Sequence, residues 1–228
     1  MLLTAAEWDA VILSLKVSAV AVAGTFPFGV VIAHFIARHR PPVSLLAESL
    51  IQLPLVLPPV VTGIFLLVLF GPHGFIGRAL EASIGWSPAF TWVGAALAAA
   101  VVAFPLMVQA MRATFAQIER EWEEACYVYG GSRWDALRHV TLPLAARGIA
   151  GATILAFARA LGEFGATIVV AGNIPGQTRT IPLAIFTRLN QIGGEQSAFR
   201  LVAVSVLLSV LSVAVHLVLA RRLYDPRR

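Results

Sequence analysis

The chain has 228 residues, of which 58% are hydrophobic and 13% are charged, with a formal net charge of +5. A soluble domain carries about 25% charged residues, so this composition predicts a membrane protein and excludes a water-soluble one. The single cysteine, Cys126, excludes a disulfide framework and multi-cysteine metal sites. The only lysine, Lys16, follows no glycine-rich turn, which excludes a P-loop ATPase in this chain.

Five apolar stretches are long enough to cross a hydrocarbon core about 30 Å thick, which takes about 20 helical residues. They cover residues 17–36, 49–70, 90–111, 148–171 and 201–220. Two shorter segments, residues 75–83 and 181–190, predict short helices at the membrane surface or re-entering it, so a sixth short span stays open. The sequence therefore predicts an all-α, polytopic transmembrane helical bundle of five, or six, spans that forms one domain over residues 1–228.

The arginines predict the orientation of the spans, because short loops rich in arginine and lysine stay in the cytoplasm. Arg78, Arg179, Arg188 and Arg200 fall on one side, where the Lys16 side chain is also expected to extend towards water. Eleven arginines fall on the other side: Arg38, Arg40, Arg112, Arg120, Arg133, Arg138, Arg147, Arg221, Arg222, Arg227 and Arg228. We therefore expect a multi-pass protein of the cytoplasmic membrane, with its N-terminus outside and its C-terminus in the cytoplasm. No nucleic-acid-binding motif accompanies the arginines, so no nucleic acid is expected as a partner.

Three prolines interrupt the second apolar stretch, at Pro54, Pro58 and Pro59. Each proline lacks an N–H group and leaves a helical carbonyl without its donor. Unpaired backbone at membrane depth is tolerated where it is buried in protein or lines an aqueous cavity, and transport proteins use such broken helices beside their pathways. The prolines are therefore candidates for a pathway lining or a gate hinge, with a purely structural kink as the alternative.

Two opposite charges, Arg159 and Glu163, lie four residues apart in the stretch 148–171, which predicts an ion pair on one helix face near the middle of a span. An unpaired charge there costs about 3 kcal/mol or more. A structural pair is favoured, because Glu163 cancels the field that an anion would feel from Arg159; a role in the pathway or gate is the alternative. Small residues in the same stretch predict close helix packing, with a dimer contact as one interpretation: Gly148, Gly151, Gly162 and Gly165.

The connection of residues 112–147 is the longest hydrophilic segment of the chain. Apolar residues recur in it at steps of three and four, which predicts one face of a helix: Phe115, Ile118, Trp122, Ala125 and Tyr129. Gly130 and Gly131 are expected to end this helix, because glycine adopts positive φ freely. Ser132 with Asp135 predicts the N-terminal cap of a short helix to about residue 139, and Leu142-Pro143 is expected to close it and start the next helix.

This connection resembles the EAA motif of ABC-importer permeases. The match consists of Glu124-Ala125-Cys126, three residues, Gly130, nine residues, and then Val140, Leu142 and Pro143 around Thr141. Every spacing agrees with the family pattern, and Cys126 is a small residue in place of the second alanine. The resemblance implies that residues 112–147 form a coupling helix that inserts into a partner ATPase subunit.

Further stretches extend this resemblance over nearly the whole chain, to the permease subunits of ABC importers for molybdate: residues 53–63, 155–167 and 173–182, with Glu7-Trp8 and Lys16 near the start. The resemblance implies the type I ABC importer permease fold, a homodimer, two ABC ATPase subunits and an external molybdate-binding protein. It also implies that this chain binds no cofactor, since ATP and Mg²⁺ belong to the partner ATPase subunit. Permeases for tungstate or sulfate share this plan and are alternatives.

A transporter of another class remains an alternative, in which Arg159 and Glu163 couple transport to an ion or proton gradient. The five histidines stand apart from any ligand motif, and no nucleophile motif occurs, so neither a metal site nor a catalytic centre is expected.

Overall fold

The computed structural model describes residues 3–39 and 41–221, and the regular secondary structure of this part of the chain is entirely helical, without strands. Its α-helices are α1 (Ala5–Arg38), α2 (Val43–Val56), α3 (Pro59–Phe70), α4 (Phe75–Ile84), α5 (Trp92–Ala116), α6 (Arg120–Val128), α7 (Arg133–Ala136), α8 (Leu142–Leu161), α9 (Gly165–Ala171), α10 (Ile181–Leu189) and α11 (Glu195–Arg221). A π-helical turn, Leu137–Thr141, joins α7 to α8. Arg40, Arg222, Arg227 and Arg228 lie outside the described residues. The expected short helices at residues 75–83 and 181–190 are α4 and α10.

Four continuous helices in the described part of the chain are long and apolar enough to cross a membrane. They are α1, α5, the helix Arg133–Leu161 and α11. Helices α2 and α3 make a fifth span only if they are counted as one bent pair, because their axes meet at 106°. The stretch 49–70 is therefore not one straight helix, as its prolines predicted. Pro58 and Pro59 cannot donate backbone hydrogen bonds, so the helix stops at Val56 and restarts at Pro59.

The predicted span of residues 148–171 is replaced in the structure by a helix that begins earlier and ends sooner, Arg133–Leu161. It ends at Leu161, and α9 starts separately at Gly165, so residues 148–171 are not one span. Pro143 does not interrupt it, because the preceding turn widens and the Leu142 N–H donates to the Leu137 carbonyl in a π-helical bond. The expectation that Leu142-Pro143 closes a short helix was therefore wrong, whereas the start of α8 at Leu142, with Pro143 in its first turn, was correctly predicted.

Helix α5 lies at the centre of the bundle and α11 at its surface. In the most apolar 18-residue segment of each helix, 61% of α5 is buried inside the protein, compared with 6% of α11. The core between α1, α5 and α8 is built largely from small side chains, including Ala95, Ala99, Ala103, Ala152 and Ala156. Small residues let helix backbones approach closely, which is how helices gain packing energy in lipid. Helix α11 therefore leaves most of its apolar surface uncovered by the rest of this chain.

The glycines of the stretch 148–171 pack mainly inside this chain. A Cβ atom at Gly151 would lie 3.3 Å from the Nδ1 atom of His216 in α11, and one at Gly165 would lie 2.8 Å from the Cβ atom of Pro59. Gly148 faces Thr114 of α5 just as closely, whereas Gly162 is exposed. Close packing was thus correctly predicted, but for three of the four glycines the neighbour is another helix of the same chain rather than a second copy.

Lys16 is exposed, as expected. Its Nζ atom lies 3.6 Å from the centre of the Trp92 ring, so the charge is held over an aromatic face at the start of α5. This contact ties α1 to α5.

Gly63 supplies a test of the packing between α3 and α9. A Cβ atom there would lie 3.0 Å from both the Cα and the carbonyl oxygen of Ala166, and backbone cannot move aside cheaply. We expect Gly63→Ala to lower the free energy of unfolding by about 1–3 kcal/mol, the usual cost of overpacking. The measurement is thermal unfolding of the purified protein in detergent. Gly24→Ala is the matched control, because nothing lies within 4 Å of a Cβ atom at Gly24; equal losses in both variants would contradict the prediction.

Candidate functional site

The connection between α5 and α8 folds as two short helices rather than one long periodic helix and a short one. Helix α5 ends at Ala116, and α6 starts only at Arg120. Because the chain turns between them, the five apolar residues do not share a face: Phe115 is buried, whereas Trp122 and Tyr129 are 58% and 92% exposed. The single-face prediction was therefore wrong, and the aromatic side chains of α6 point into solvent.

The glycine pair ends α6 in a Schellman motif, as the sequence predicted. The Gly131 N–H donates to the Cys126 carbonyl and the Gly130 N–H to the Tyr127 carbonyl, each at 3.0 Å. Gly130 has φ of +84°, a conformation that costs other residues about 1–2 kcal/mol. A Cβ atom at Gly131 would lie 2.5 Å from the Cys126 Sγ atom. Cys126 is thus half-buried against the turn, which favours a small residue at this position.

The capping box of α7 is also confirmed. The Ser132 hydroxyl accepts a hydrogen bond from the Asp135 N–H, and the Asp135 carboxylate accepts one from the Ser132 N–H at 2.9 Å. Of the three remaining motif residues, Val140 lies in the π-helical turn and is half-buried, while Leu142 and Pro143 start α8 and are half-buried and exposed, respectively. The motif residues therefore span a helix–turn–helix element that leads directly into a membrane helix.

Helix α6 has no buried residue, so polar contacts rather than a hydrophobic core hold it on the bundle. Arg38 Nη2, at the end of α1, donates to Glu123 Oε1 at 2.6 Å, and the buried Thr141 hydroxyl donates to the same oxygen at 2.7 Å. The Arg38 and Glu123 side chains are each only 13% exposed. Glu123 therefore joins α6 to α1 and to the π-helical turn before α8.

Two further bonds strengthen this attachment. Arg38 Nη1 donates to the Ile118 carbonyl at 3.1 Å, and Arg120 Nη2 donates to the Arg38 carbonyl at 3.2 Å. Hydrogen bonds to charged groups contribute about 1.5–3 kcal/mol each, which is large for a helix of nine residues. We call Arg38, Glu123 and Thr141 the α6 anchor.

The sequence did not identify the α6 anchor. The resemblance pointed to the neighbouring Glu124, which is exposed. Arg38 and Glu123 are 85 positions apart, and no local periodicity connects them. The only available signal was the pair of adjacent glutamates, of which just one can face the bundle from a helix.

The outer surface of this element combines aromatic groups with charges of both signs. Trp122, Tyr127, Tyr129 and Trp134 are all exposed. A cleft of about 380 Å³ lies between α6, α7 and the end of α1, and its lining includes His34, Arg38, Arg120, Glu124 and Arg133. Exposed aromatic and arginine side chains of this kind are enriched where proteins bind each other. The arrangement is suited to docking a protein partner.

The three prolines of the candidate pathway differ in what they do. Pro54 lies within α2 and does not end it, so it is not the break that the sequence suggested. Pro58 precedes α3 and Pro59 is its first residue, a position where the missing N–H costs nothing. The 106° bend is therefore at Leu57-Pro58, and Pro59 packs directly against Gly165 of α9.

Arg159 and Glu163 form the predicted ion pair, with Arg159 Nη1 donating to Glu163 Oε2 at 3.0 Å. The pair lies at a helix end, however, and not on one face in mid-span, because α8 stops at Leu161. The second oxygen of Glu163 accepts the Ala166 N–H at 2.9 Å, so this buried carboxylate also caps α9. Glu163 is 2% exposed and Arg159 30%. The structural interpretation of the pair agrees with this geometry, while part of Arg159 remains accessible.

Comparison with known proteins adds a family and close relatives. The family described as "Binding-protein-dependent transport system inner membrane component" matches residues 25–227. The chain is 49% identical over 221 residues to the molybdenum transport system permease protein ModB of Escherichia coli K12, covering 97% of this chain and 96% of that protein. It is 37% identical over 164 residues to the E. coli K12 sulfate transport system permease protein CysT, covering 72% and 59%.

The fold has counterparts among solved structures. An inward-facing structure of the MetNI methionine ABC transporter superposes on 95% of this chain and 95% of its own with a TM-score of 0.71, at 15% identity. At that identity the similarity concerns the fold alone.

Substitution of Glu123 tests whether the α6 anchor holds α6. Glu123→Ala leaves Arg38 and Thr141 without their acceptor, so we expect amide hydrogen exchange in α6 to accelerate by about tenfold or more, equivalent to about 1.4 kcal/mol. The control is Glu124→Ala, which removes the adjacent exposed carboxylate. Exchange in α6 that is equally slow in wild type and Glu123→Ala would show that the anchor does not hold the helix.

Proposed function

This chain belongs to the family of binding-protein-dependent transport system inner membrane components, and we propose that it is the permease subunit of an ATP-driven importer for molybdate. It is a multi-pass membrane protein of a transport system. The observation that carries the proposal is α6, a helix without a core that is anchored to two membrane helices and presents aromatic side chains outward.

In this proposal a separate ATPase subunit docks on α6 and α7. The chain has one lysine and no P-loop, so ATP and Mg²⁺ are bound by the partner. Two copies of this chain with two ATPase subunits give two α6 helices, which closure of the ATPase pair draws together. The α6 anchor passes this displacement to α1 and α8, because Glu123 accepts hydrogen bonds from both sides.

The pathway is formed at the helix breaks. The bend at Pro58 separates α2 from α3, and α3 moves together with α9 because Gly63 and Gly165 interlock them. Glu163 caps α9 and holds Arg159, whose accessible part offers a passing anion weak attraction. Weak binding suits a pathway, since tight binding would slow release.

The proposed orientation has α6 in the cytoplasm and the start of α1 outside, with an external binding protein delivering the anion. The arginine distribution supports it, and Arg38 and Arg120 do lie at the end of the molecule that carries α6. Identity of 49% to a molybdenum permease favours molybdate as cargo. The weaker match to a sulfate permease favours another oxyanion as the second candidate. Family membership lends no support to an ion-coupled transporter.

Co-purification tests the docking of an ATPase subunit. The tagged chain is co-expressed with the molybdate-type ATPase subunit of the same cell, and we expect the pair to be recovered together in detergent. Gly130→Pro should abolish recovery, because proline cannot adopt the positive φ of the turn. Gly130→Asn is its matched control, since asparagine tolerates this conformation.

A charge reversal gives the second comparison in the same experiment. Glu124→Arg should lose the ATPase subunit, whereas Glu81→Arg, an equally exposed glutamate on α4, should keep it. Recovery of the ATPase subunit with both Gly130→Pro and Glu124→Arg would contradict docking at α6.

Uptake by cells tests the cargo. Deleting the gene for this chain should reduce accumulation of labelled molybdate at low external concentration by about tenfold or more. A loss of this size is expected when the specific carrier is removed. Accumulation of labelled sulfate should not change. The Gly130→Asn chain should restore molybdate uptake and the Gly130→Pro chain should not. Loss of sulfate uptake with unchanged molybdate uptake would identify the other oxyanion.

A further inference from the structure

An apolar groove of about 500 Å³ lies between α1 and α8 at the surface of the bundle. Its lining includes side chains about one helical turn apart: Ala19, Ala23 and Phe26 of α1, and Thr153 and Phe157 of α8. Thr153 carries the one polar side chain of this lining, and its Oγ1 donates to the Ile149 carbonyl of the same helix at 2.7 Å. The groove therefore suits an occupant that is apolar along its whole length.

Lys16 lies beyond the end of this groove that is nearer to the start of α1. It precedes Ala19 by three residues and Ala23 by seven, which are spacings that place side chains on one face of a helix. Lys16 is exposed and its ammonium group contacts the Trp92 ring, but no carboxylate of the described residues pairs with it. A cation beside the hydrocarbon core is stabilised by an opposite charge, which the described part of this chain does not supply.

The distance from Lys16 to the far end of the groove matches one leaflet of a bilayer. Helix α1 advances ten residues between Lys16 and Phe26, which is about 15 Å at 1.5 Å per residue. The hydrocarbon core of a bilayer is about 30 Å thick, so one leaflet contributes about 15 Å. A phospholipid with its phosphate at Lys16 would therefore reach Phe26 with the ends of its acyl chains.

The same length argues against a helix from a second copy of this chain as the occupant. A membrane helix crosses both leaflets, whereas the lining of the groove ends on α1 at Phe26. A helix would also bring no charge for Lys16 at the required depth unless it carried a carboxylate there. A phospholipid supplies both an apolar chain and an anion, in the order in which the groove and Lys16 are arranged.

We propose that Lys16 and this groove bind one anionic phospholipid in the leaflet that contains the start of α1. The Lys16 ammonium has three N–H donors for the phosphate oxygens, and one acyl chain lies between α1 and α8. A headgroup of net negative charge is favoured, because an ethanolamine headgroup would bring a second ammonium close to Lys16. The inference requires that α1 crosses the membrane, and it depends neither on the cargo nor on the ATPase subunit.

The test uses the full chain in nanodiscs that contain equal amounts of phosphatidylglycerol and phosphatidylethanolamine with identical acyl chains. Phe26 is replaced by a photoactivatable phenylalanine, and mass spectrometry measures the ratio of the two lipids cross-linked to it. The same residue at Leu211, which is 59% exposed on α11, samples the bulk lipid. We expect the ratio of phosphatidylglycerol to phosphatidylethanolamine to be about fivefold higher at position 26, the effect of one basic residue beside an anionic lipid.

Substitutions of Lys16 and Trp92 separate a lipid-binding role from a structural one. Lys16→Gln should lower the ratio at position 26 to the bulk value, and Lys16→Arg should preserve it because the charge remains. Trp92→Leu removes the contact between the ring and the ammonium but leaves the charge, so it should also preserve the ratio. Arg78→Gln is the matched control for loss of a positive charge, because Arg78 is exposed on α4 and does not line the groove.

A variant that fills the groove tests the acyl-chain site separately from the charge. Ala23→Phe should lower the ratio at position 26 to the bulk value, whereas Val31→Phe, at an exposed position of α1 outside the groove, should not. If Lys16→Gln fails to fold, Ala23→Phe decides. Equal ratios at positions 26 and 211, a ratio that Lys16→Gln leaves unchanged, or cross-links from position 26 mainly to a second copy of this chain would overturn the proposal.

Discussion

One carboxylate oxygen, Glu123 Oε1, joins the exposed helix α6 to the membrane-embedded bundle. It accepts hydrogen bonds from Arg38 at the end of α1 and from Thr141 before α8, while α6 itself buries no side chain. Charge-assisted hydrogen bonds are strong and geometrically specific, so they fix the position of α6 relative to α1 and α8. The exposed aromatic residues of α6 can therefore be devoted to a partner, because none is needed for attachment.

The broken helices follow from the second constraint, which is that lipid cannot satisfy free backbone groups. Both breaks are resolved locally: Pro59 starts α3 where no donor is needed, and Glu163 accepts the first free N–H of α9. The two breaks also lie together, since Pro59 packs against Gly165. The bend between α2 and α3 therefore lies directly against the start of α9.

Local chemistry in the sequence predicted much of this structure. The helix end at Gly130, the capping box at Ser132 and the Arg159–Glu163 pair depend on residues at most five apart, and all three are present. The features that were missed depend on distant partners or on competing backbone geometries. Glu123 meets a residue 85 positions away, and the π-helical turn accommodates Pro143 where a helix break was expected. The three- and four-residue spacing of apolar residues also continues across the turn at residues 117–119. Such spacing does not reveal that the helix axis changes direction there, so the sequence predicted one helix face where the structure has two helices.

The central claim is that the Arg38–Glu123 contact transmits motion between α6 and the spans. A double-mutant cycle on ATP-driven molybdate uptake tests it most directly, with Arg38→Gln, Glu123→Gln and the double variant in the reconstituted importer, each normalised to its ATP hydrolysis. If the two residues act through one contact, the double variant loses no more uptake per ATP than the more impaired single variant, with a coupling energy of at least about 1 kcal/mol. Losses that multiply in the double variant, or single variants with normal uptake per ATP, would contradict the claim.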